Sequence, residues 1–287
     1  MRTHPLVHGM GIAALLASLL LPGCTTLPSP EQRSQHADAL ARAAGLAREQ
    51  VRTDSFVLTS FARITRQDLP LTVYIEGDGL AFRTRSQPSD DPTPVNPQGL
   101  ALAAADPSAN VLYLARPCQF ARRADNPHCT VAYWTGKRFA EEVVQAMDQA
   151  VQHYARQLPK QPLHLVGYSG GGAIAALLAA RRTDVASLRT VAGNLDVGEF
   201  NRLHRTTPMP ASLNPIDSAA RLHGLPQVHY FGTEDDVVPG VIALRFTQAV
   251  AGDCAQVRAV PGMRHGDDWG RRWPGLLAEP ALCRAGP

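Results

Sequence analysis

The sequence predicts an α/β fold: a mostly parallel central sheet flanked by helices, with irregular cap insertions. Three observations predict it. Strand-like runs alternate with helical patterns from Leu71 to Ala278, the rhythm of right-handed βαβ crossovers. Gly167-Tyr168-Ser169-Gly170-Gly171 reads G-x-S-x-G between an apolar strand and a helix of small residues. Acid- and histidine-bearing turns follow the last two strand-like runs, at Asp235 and His265. Sites in open parallel sheets gather beyond the carboxyl ends of strands.

The chain start reads as a secretory signal over residues 1–23. Arg2 supplies a thin positive region, and Gly9 to Leu21 is an apolar run too short to span a bilayer. Leu21-Pro22-Gly23-Cys24 resembles a bacterial lipobox, which implies that Cys24 is lipidated and becomes the first mature residue. Thr25 follows it instead of Asp. By resemblance to lipoprotein sorting in Gram-negative bacteria, that implies the outer membrane, with the protein facing the periplasm. Residues 24–54 are expected to form a tether and an N-terminal helix, and residues 55–287 the catalytic domain.

Within that domain each element has its own signal. Ala37, Leu40, Ala44 and Ala47 recur at helical spacing between Glu31 and Gln50. Phe56 to Phe61 and Leu71 to Ile75 read as strands, the second running into Glu76-Gly77-Asp78-Gly79. A polar Ser/Asp/Pro loop spans Arg83 to Pro97. A helix near Gln98 to Ala105 and a strand over Asn110 to Ala115 follow. Arg116 to Thr135 is irregular, and Gly136 to Gln157 is a long amphipathic helix. Leu163 to Val166 is the strand entering G-x-S-x-G, and Ala173 to Ala180 the helix leaving it. Leu188 to Ala192 is a strand and Gly193 to Leu225 an irregular insertion. Strands at Gln227 to Phe231 and Gln256 to Val260 alternate with helices at Val241 to Ala251 and Asp268 to Ala278. The three irregular segments are expected to roof a pocket.

Composition narrows the function. The 287 residues carry a net charge of +3 and a hydrophobic content of 45%. The charge is too small and its arginines too scattered for a nucleic-acid partner. Besides Cys24 there are four cysteines, Cys118, Cys129, Cys254 and Cys283, an even number that reads as two disulfides in an oxidising compartment. Of three connectivities, Cys118–Cys129 with Cys254–Cys283 is the most economical. No C-x-x-C, H-E-x-x-H or phosphate-loop signature occurs, so no metal or organic cofactor is expected.

A serine hydroxyl needs a base and a carboxylate that orients the base. Gly232-Thr233-Glu234-Asp235-Asp236-Val237-Val238-Pro239 supplies the acid after one strand, and Gly262-Met263-Arg264-His265 the base after the next. The spacing to Val238-Pro239 favours Asp235 over Glu234 and Asp236, with Asp196 as the more distant alternative. His164 and His229 lie within strands, and His204 and His223 in the insertion, so His265 is the expected base.

With its elbow, its G-x-x-D-x-x-V-P run and its G-x-x-H run, the chain resembles the α/β-hydrolase superfamily over roughly residues 55 to 280. Tyr74 to Gly79, Arg116 to Phe120 and Ala192 to Asp196 resemble a subgroup of exported bacterial hydrolases. The resemblance implies a Ser169–His265–Asp235 triad. It also implies an oxyanion site made by the backbone N–H groups of Gly170 and Asp78. Glu76 and Asp78 stand where many members have His-Gly. Two carboxylates near an oxyanion must be paired or turned away, with Arg116 or another arginine as the partner. The function expected is cleavage of a carboxylic ester or related acyl bond on a small-molecule or acyl substrate. A serine peptidase, an acyltransferase or a non-catalytic binding lipoprotein are the alternatives.

Overall fold

The computed structural model describes Met1 and residues 27–283. The expected signal segment, Cys24 and Thr25 lie outside the described residues. Eight strands form one sheet: β1 (Ala47–Arg52), β2 (Val57–Ile64), β3 (Leu71–Ile75), β4 (Asn110–Leu114), β5 (Leu163–Tyr168), β6 (Val185–Val191), β7 (Gln227–Gly232) and β8 (Ala255–Val260). Their order is β1-β2-β4-β3-β5-β6-β7-β8. The β1/β2 and β2/β4 pairs are antiparallel, and every pair from β4 to β8 is parallel.

Seven α-helices flank it among the described residues: α1 (Pro30–Ala43), α2 (Gln98–Ala104), α3 (Glu141–Ala155), α4 (Gly170–Ala179), α5 (Val197–His204), α6 (Val241–Val250) and α7 (Trp269–Ala278). They cover both faces of the sheet, and the strands show why. Leu71, Val73 and Ile75 of β3 join Leu163 and Leu165 of β5 in a core with α3, α4 and α6. Tyr74 of β3 and Val166 and Tyr168 of β5 join the opposite core, with α1, α2 and α7. Successive side chains of a strand point to opposite faces, so a strand buried on both faces reads as a continuous apolar run. Among the described residues no helix is long and apolar enough to cross a membrane.

Two expectations are corrected here. The helix expected over Glu31 to Gln50 ends at Ala43. Gly45, at φ +70°, follows the Ala44 cap. Gly45 N–H bonds Arg42 O, and Leu46 N–H bonds Ala41 O, which is a Schellman ending. Ala47–Arg52 then forms β1, so the segment 24–54 contributes an edge strand to the sheet instead of only a tether and a helix. The charged residues Arg48, Glu49 and Arg52 on β1 are exposed, which blunts further edge pairing. The insertion Gly193 to Leu225 is also not wholly irregular. It holds α5, whose Asp196 cap accepts from Glu199 N–H, and a 3₁₀ stretch, Pro215–Leu222.

Both disulfides have the expected pairing, Cys118–Cys129 and Cys254–Cys283. The first closes the loop after β4. The second ties the end of the chain to the start of β8.

Candidate active site

Local geometry at the end of β5 forces Ser169 outward. Its φ is +51° and its ψ −122°, a region that a residue with a Cβ rarely occupies and that costs on the order of 1–3 kcal/mol. Two glycines make the turn possible. A Cβ on Gly167 would lie 2.3 Å from Gly171 O, and one on Gly171 would lie 2.2 Å from Ile75 O. The turn is therefore pressed against the end of β3. Ser169 N–H is anchored to Val191 O, and Ser169 O accepts from Gly172 and Asn194 N–H.

The ends of β7 and β8 bring Asp235 and His265 to this serine, His265 lying 96 residues from Ser169 and 30 from Asp235 in sequence. His265 Nε2 lies 3.0 Å from Ser169 Oγ, and Nδ1 lies 2.9 Å from Asp235 Oδ2. An ionised carboxylate only accepts, so Nδ1 carries the proton toward Asp235 and Nε2 is left to accept from the serine. The Asp235 side chain is fully buried. Its other oxygen accepts from Val237 and Val238 N–H at 2.9 and 2.8 Å, which fixes the carboxylate plane. The His265 carbonyl is held by Tyr168 Oη–H and by Trp269 Nε1–H at 2.7 and 3.1 Å. Imidazole, serine and acid are thus each restrained from a different element.

The competing residues fall elsewhere. Glu234 is exposed and pairs with Arg264, and Asp236 is exposed. Asp196 caps α5 and pairs with Arg245 at 2.9 Å. His164 bonds Ser187, His204 bonds Val237 O, and His223 bonds Ala220 O. His229 is fully buried between Thr190 and Gln227, and burial pushes its pKa down to about 3, so it stays neutral.

Both carboxylates of the loop after β3 are accounted for. Glu76 is buried, with its carboxylate fully engaged. It accepts from Gly77, Gly99 and Leu100 N–H and from Tyr113 Oη–H. Burial pushes its pKa up despite these four donors. Asp78 pairs with Arg116 at 3.2 Å and with Arg138 at 3.1 Å. The Asp78 carboxylate overhangs Gly170, the residue after the serine, because a Cβ there would lie 2.1 Å from Asp78 Oδ1. Gly170 opens α4, whose first-turn N–H groups have no partner within the helix.

A cleft of about 380 Å³ opens over the serine. Pro94, Val95 and Asn96 from the loop before α2 line it, together with Asn194 and Phe200 from the insertion after β6. Arg116 to Thr135 does not line it, contrary to expectation. That segment lies behind the loop after β3, where Gln119 Nε2–H donates to Gly77 O at 3.0 Å. Asn194 lies in the insertion expected to roof the pocket, whereas Arg138 also lines the cleft and has no signal in the sequence. A lone arginine before an amphipathic helix has no local pattern that marks it.

No protein-family model matches the sequence, and no curated protein matches it. Solved structures do. Est1E from Butyrivibrio proteoclasticus superposes with a TM-score of 0.55 at 14% identity, over 80% of this chain and 97% of its own. A bacterial membrane phospholipase A described as a virulence factor gives 0.53 at 15% identity, over 87% and 91%. Pyrococcus horikoshii acylaminoacyl peptidase gives 0.59 at 12% identity, over 81% of this chain but only 41% of its own. The eight-stranded sheet, its flanking helices and these likenesses define the class: this chain has the α/β-hydrolase fold.

Proposed function

We propose that the chain is a serine hydrolase that cleaves a carboxylic ester, or a related acyl bond, through an acyl-enzyme. The observation that carries the reading is the hydrogen-bonded row Asp235–His265–Ser169 on an outward-forced elbow beneath an open cleft. Ser169 Oγ attacks the acyl carbon while its proton passes to His265 Nε2. The carbonyl oxygen becomes an oxyanion held by the N–H groups of Gly170 and Asp78. His265 then protonates the leaving alcohol, the carbon–oxygen bond breaks, and the acyl-enzyme remains. Water, deprotonated by His265, attacks in turn. The acid leaves and the proton returns to Ser169. The names of the structural neighbours, among them a phospholipase and a peptidase, support acyl-bond cleavage in general but differ in the bond cut. A fluorophosphonate probe tests the reading. Labelling at Ser169 is expected, and a folded protein that stays unlabelled would be a binding protein built on the same scaffold.

The acyl group accepted is short or compact. The cleft volume is at the small end for ligand pockets, and Asp78, Asn96, Arg138 and Asn194 place polar groups along it. A hydrophobic tunnel would gain about 0.8 kcal/mol for each buried methylene. Across a series of p-nitrophenyl esters, kcat/KM is expected to peak at short chains. A steady rise through long chains, with activation at a lipid interface, would make the protein a lipase instead.

The same reading places the enzyme in the bacterial envelope, attached by lipid on Cys24 to the outer membrane and facing the periplasm. The lipobox-like run Leu21 to Cys24 supports this. So do the two disulfides, which persist in oxidising compartments. Metabolic palmitate labelling that disappears in Cys24→Ser, together with membrane fractionation, is the expected result. A soluble, unlabelled protein would remove the anchor.

A further inference from the structure

Asp78 sits awkwardly for the role assigned to it. Its backbone N–H is the second oxyanion donor of the proposed mechanism, yet its carboxylate overhangs Gly170, the first donor. An uncompensated negative charge there would oppose the charge that develops on the acyl oxygen. Two guanidinium groups meet it, one on each oxygen. Arg116 Nη1 lies 3.2 Å from Oδ1, and Arg138 Nη1 lies 3.1 Å from Oδ2. The exposures of the three side chains are 19% for Asp78, 5% for Arg116 and 12% for Arg138, so water screens the group little.

The two arginines are braced as a unit. Both guanidinium groups sit over the Phe139 ring, at 5.2 and 5.5 Å, and Arg116 Nη2 also donates to the Arg138 carbonyl. Burial pushes the Arg116 pKa down to about 10, which leaves it charged at neutral pH. One carboxylate and two guanidiniums therefore carry a net positive charge beside the oxyanion position. The loop itself has few other restraints near Asp78. Gln119 holds Gly77 O, and Leu80 N–H bonds Pro92 O.

We propose that Arg116 and Arg138 are positioning residues of the oxyanion site: they clamp the Asp78 carboxylate, cancel its charge, and so hold the Asp78 N–H toward the acyl oxygen. This rests on the hydrolase reading above. Because the Asp78 N–H so held meets charge that appears only in the transition state, loss of the clamp falls on kcat and not on KM. Arg138 is the better probe, since Asp78 is its only polar side-chain partner among the described residues.

The experiment is ester kinetics on Arg138→Gln, Arg138→Lys, Asp78→Asn and the double variant Arg138→Gln/Asp78→Asn, with thermal melts to confirm folding. Arg138→Gln is expected to lower kcat on the order of 10²-fold, the scale of losing one oxyanion donor, with KM changed by no more than a few-fold. Arg138→Lys keeps the charge and should recover much of the loss. Asp78→Asn added to Arg138→Gln should raise kcat above that of Arg138→Gln alone, because it removes the carboxylate whose Oδ2 has lost its guanidinium. A merely structural arginine would give no such rescue. Should Arg138→Gln fail to fold, the pair Asp78→Asn and Arg138→Lys/Asp78→Asn still decides: with the carboxylate gone the change at Arg138 should leave kcat unchanged, and a further loss overturns the inference. Wild-type kcat in Arg138→Gln, or a double variant no better than that single one, overturns the inference while leaving the hydrolase reading intact. A wild-type protein inert to esters and to the probe overturns both.

Discussion

Ser169→Ala is expected to abolish fluorophosphonate labelling and ester hydrolysis while leaving the melting temperature near that of the wild type. The hydroxyl is removed, but the elbow's backbone anchors to Val191, Gly172 and Asn194 remain. Asp235→Asn should cost roughly 10⁴-fold in kcat, the loss known for the same change in a serine-protease triad, or about 5 kcal/mol. The amide oxygen still accepts from Val237 and Val238 N–H, so the amide nitrogen is turned toward His265 Nδ1. That nitrogen donates, so Nδ1 must accept, and the ring proton moves to Nε2. Nε2 can then no longer take the serine's proton. Asp196→Asn is the control. Its carboxylate serves Arg245 and the α5 cap, so activity should stay close to that of the wild type. Loss in Asp196→Asn with near-normal activity in Asp235→Asn would reassign the acid.

Gly171→Ala is expected to be strongly disruptive for a single added methyl group. Its Cβ would lie 2.2 Å from Ile75 O and 2.5 Å from Glu76 O. Both are backbone atoms at the end of β3, so no side chain can swing aside. Either the elbow lifts or β3 separates from β5, and each breaks the oxyanion geometry. The cost should reach at least about 3 kcal/mol, the upper range for overpacking a close-packed interior. For a domain of this size that corresponds to a melting temperature lower by about 6–12 °C. Gly275→Ala in α7 is the internal control, because nothing lies within 4 Å of its Cβ position. It should be neutral or slightly stabilising, since alanine restricts the unfolded chain. Equal melting temperatures for the two variants would contradict the packing described at the elbow.

Much of the site could be read before the structure because its signals are local. The strand, the glycine pair and the small-residue helix around Ser169 lie within a short stretch of chain, and the steric demand at Gly167 and Gly171 is met by neighbours in that same stretch and by β3. Asp235 and His265 could be anticipated because turns after successive parallel strands converge on one edge. The reading failed where a signal was shared between structures. Ala47 continues the helical spacing of Glu31 to Gln50, but Gly45 in the left-handed region ends the helix, and pairing with β2 makes Ala47–Arg52 a strand. Tertiary pairing overrides weak local preference in such a segment. Residues Arg116 to Thr135 looked like a pocket roof because they follow a strand. Instead, Arg116 and Gln119 of that segment turn inward beneath the loop after β3.

By itself the sequence determined the parallel α/β architecture, the strand–turn–helix at Ser169 and the strand ends that carry Asp235 and His265. Periodicity, glycine placement and chain order are properties of neighbouring residues, and they survive without any knowledge of packing. Spacing to Val238-Pro239 already pointed to Asp235 among three adjacent acids, and the tertiary structure added the direction of the turn, which faces Asp235 to His265 and leaves Glu234 and Asp236 exposed. The tertiary structure alone decided that Arg116 and Arg138 close on Asp78. Arg116 lies 38 residues away in sequence, and no local pattern records a pairing made by the return of the chain across the sheet. Buried charge seeks whichever opposite charge the fold brings within reach, and that choice is made in space.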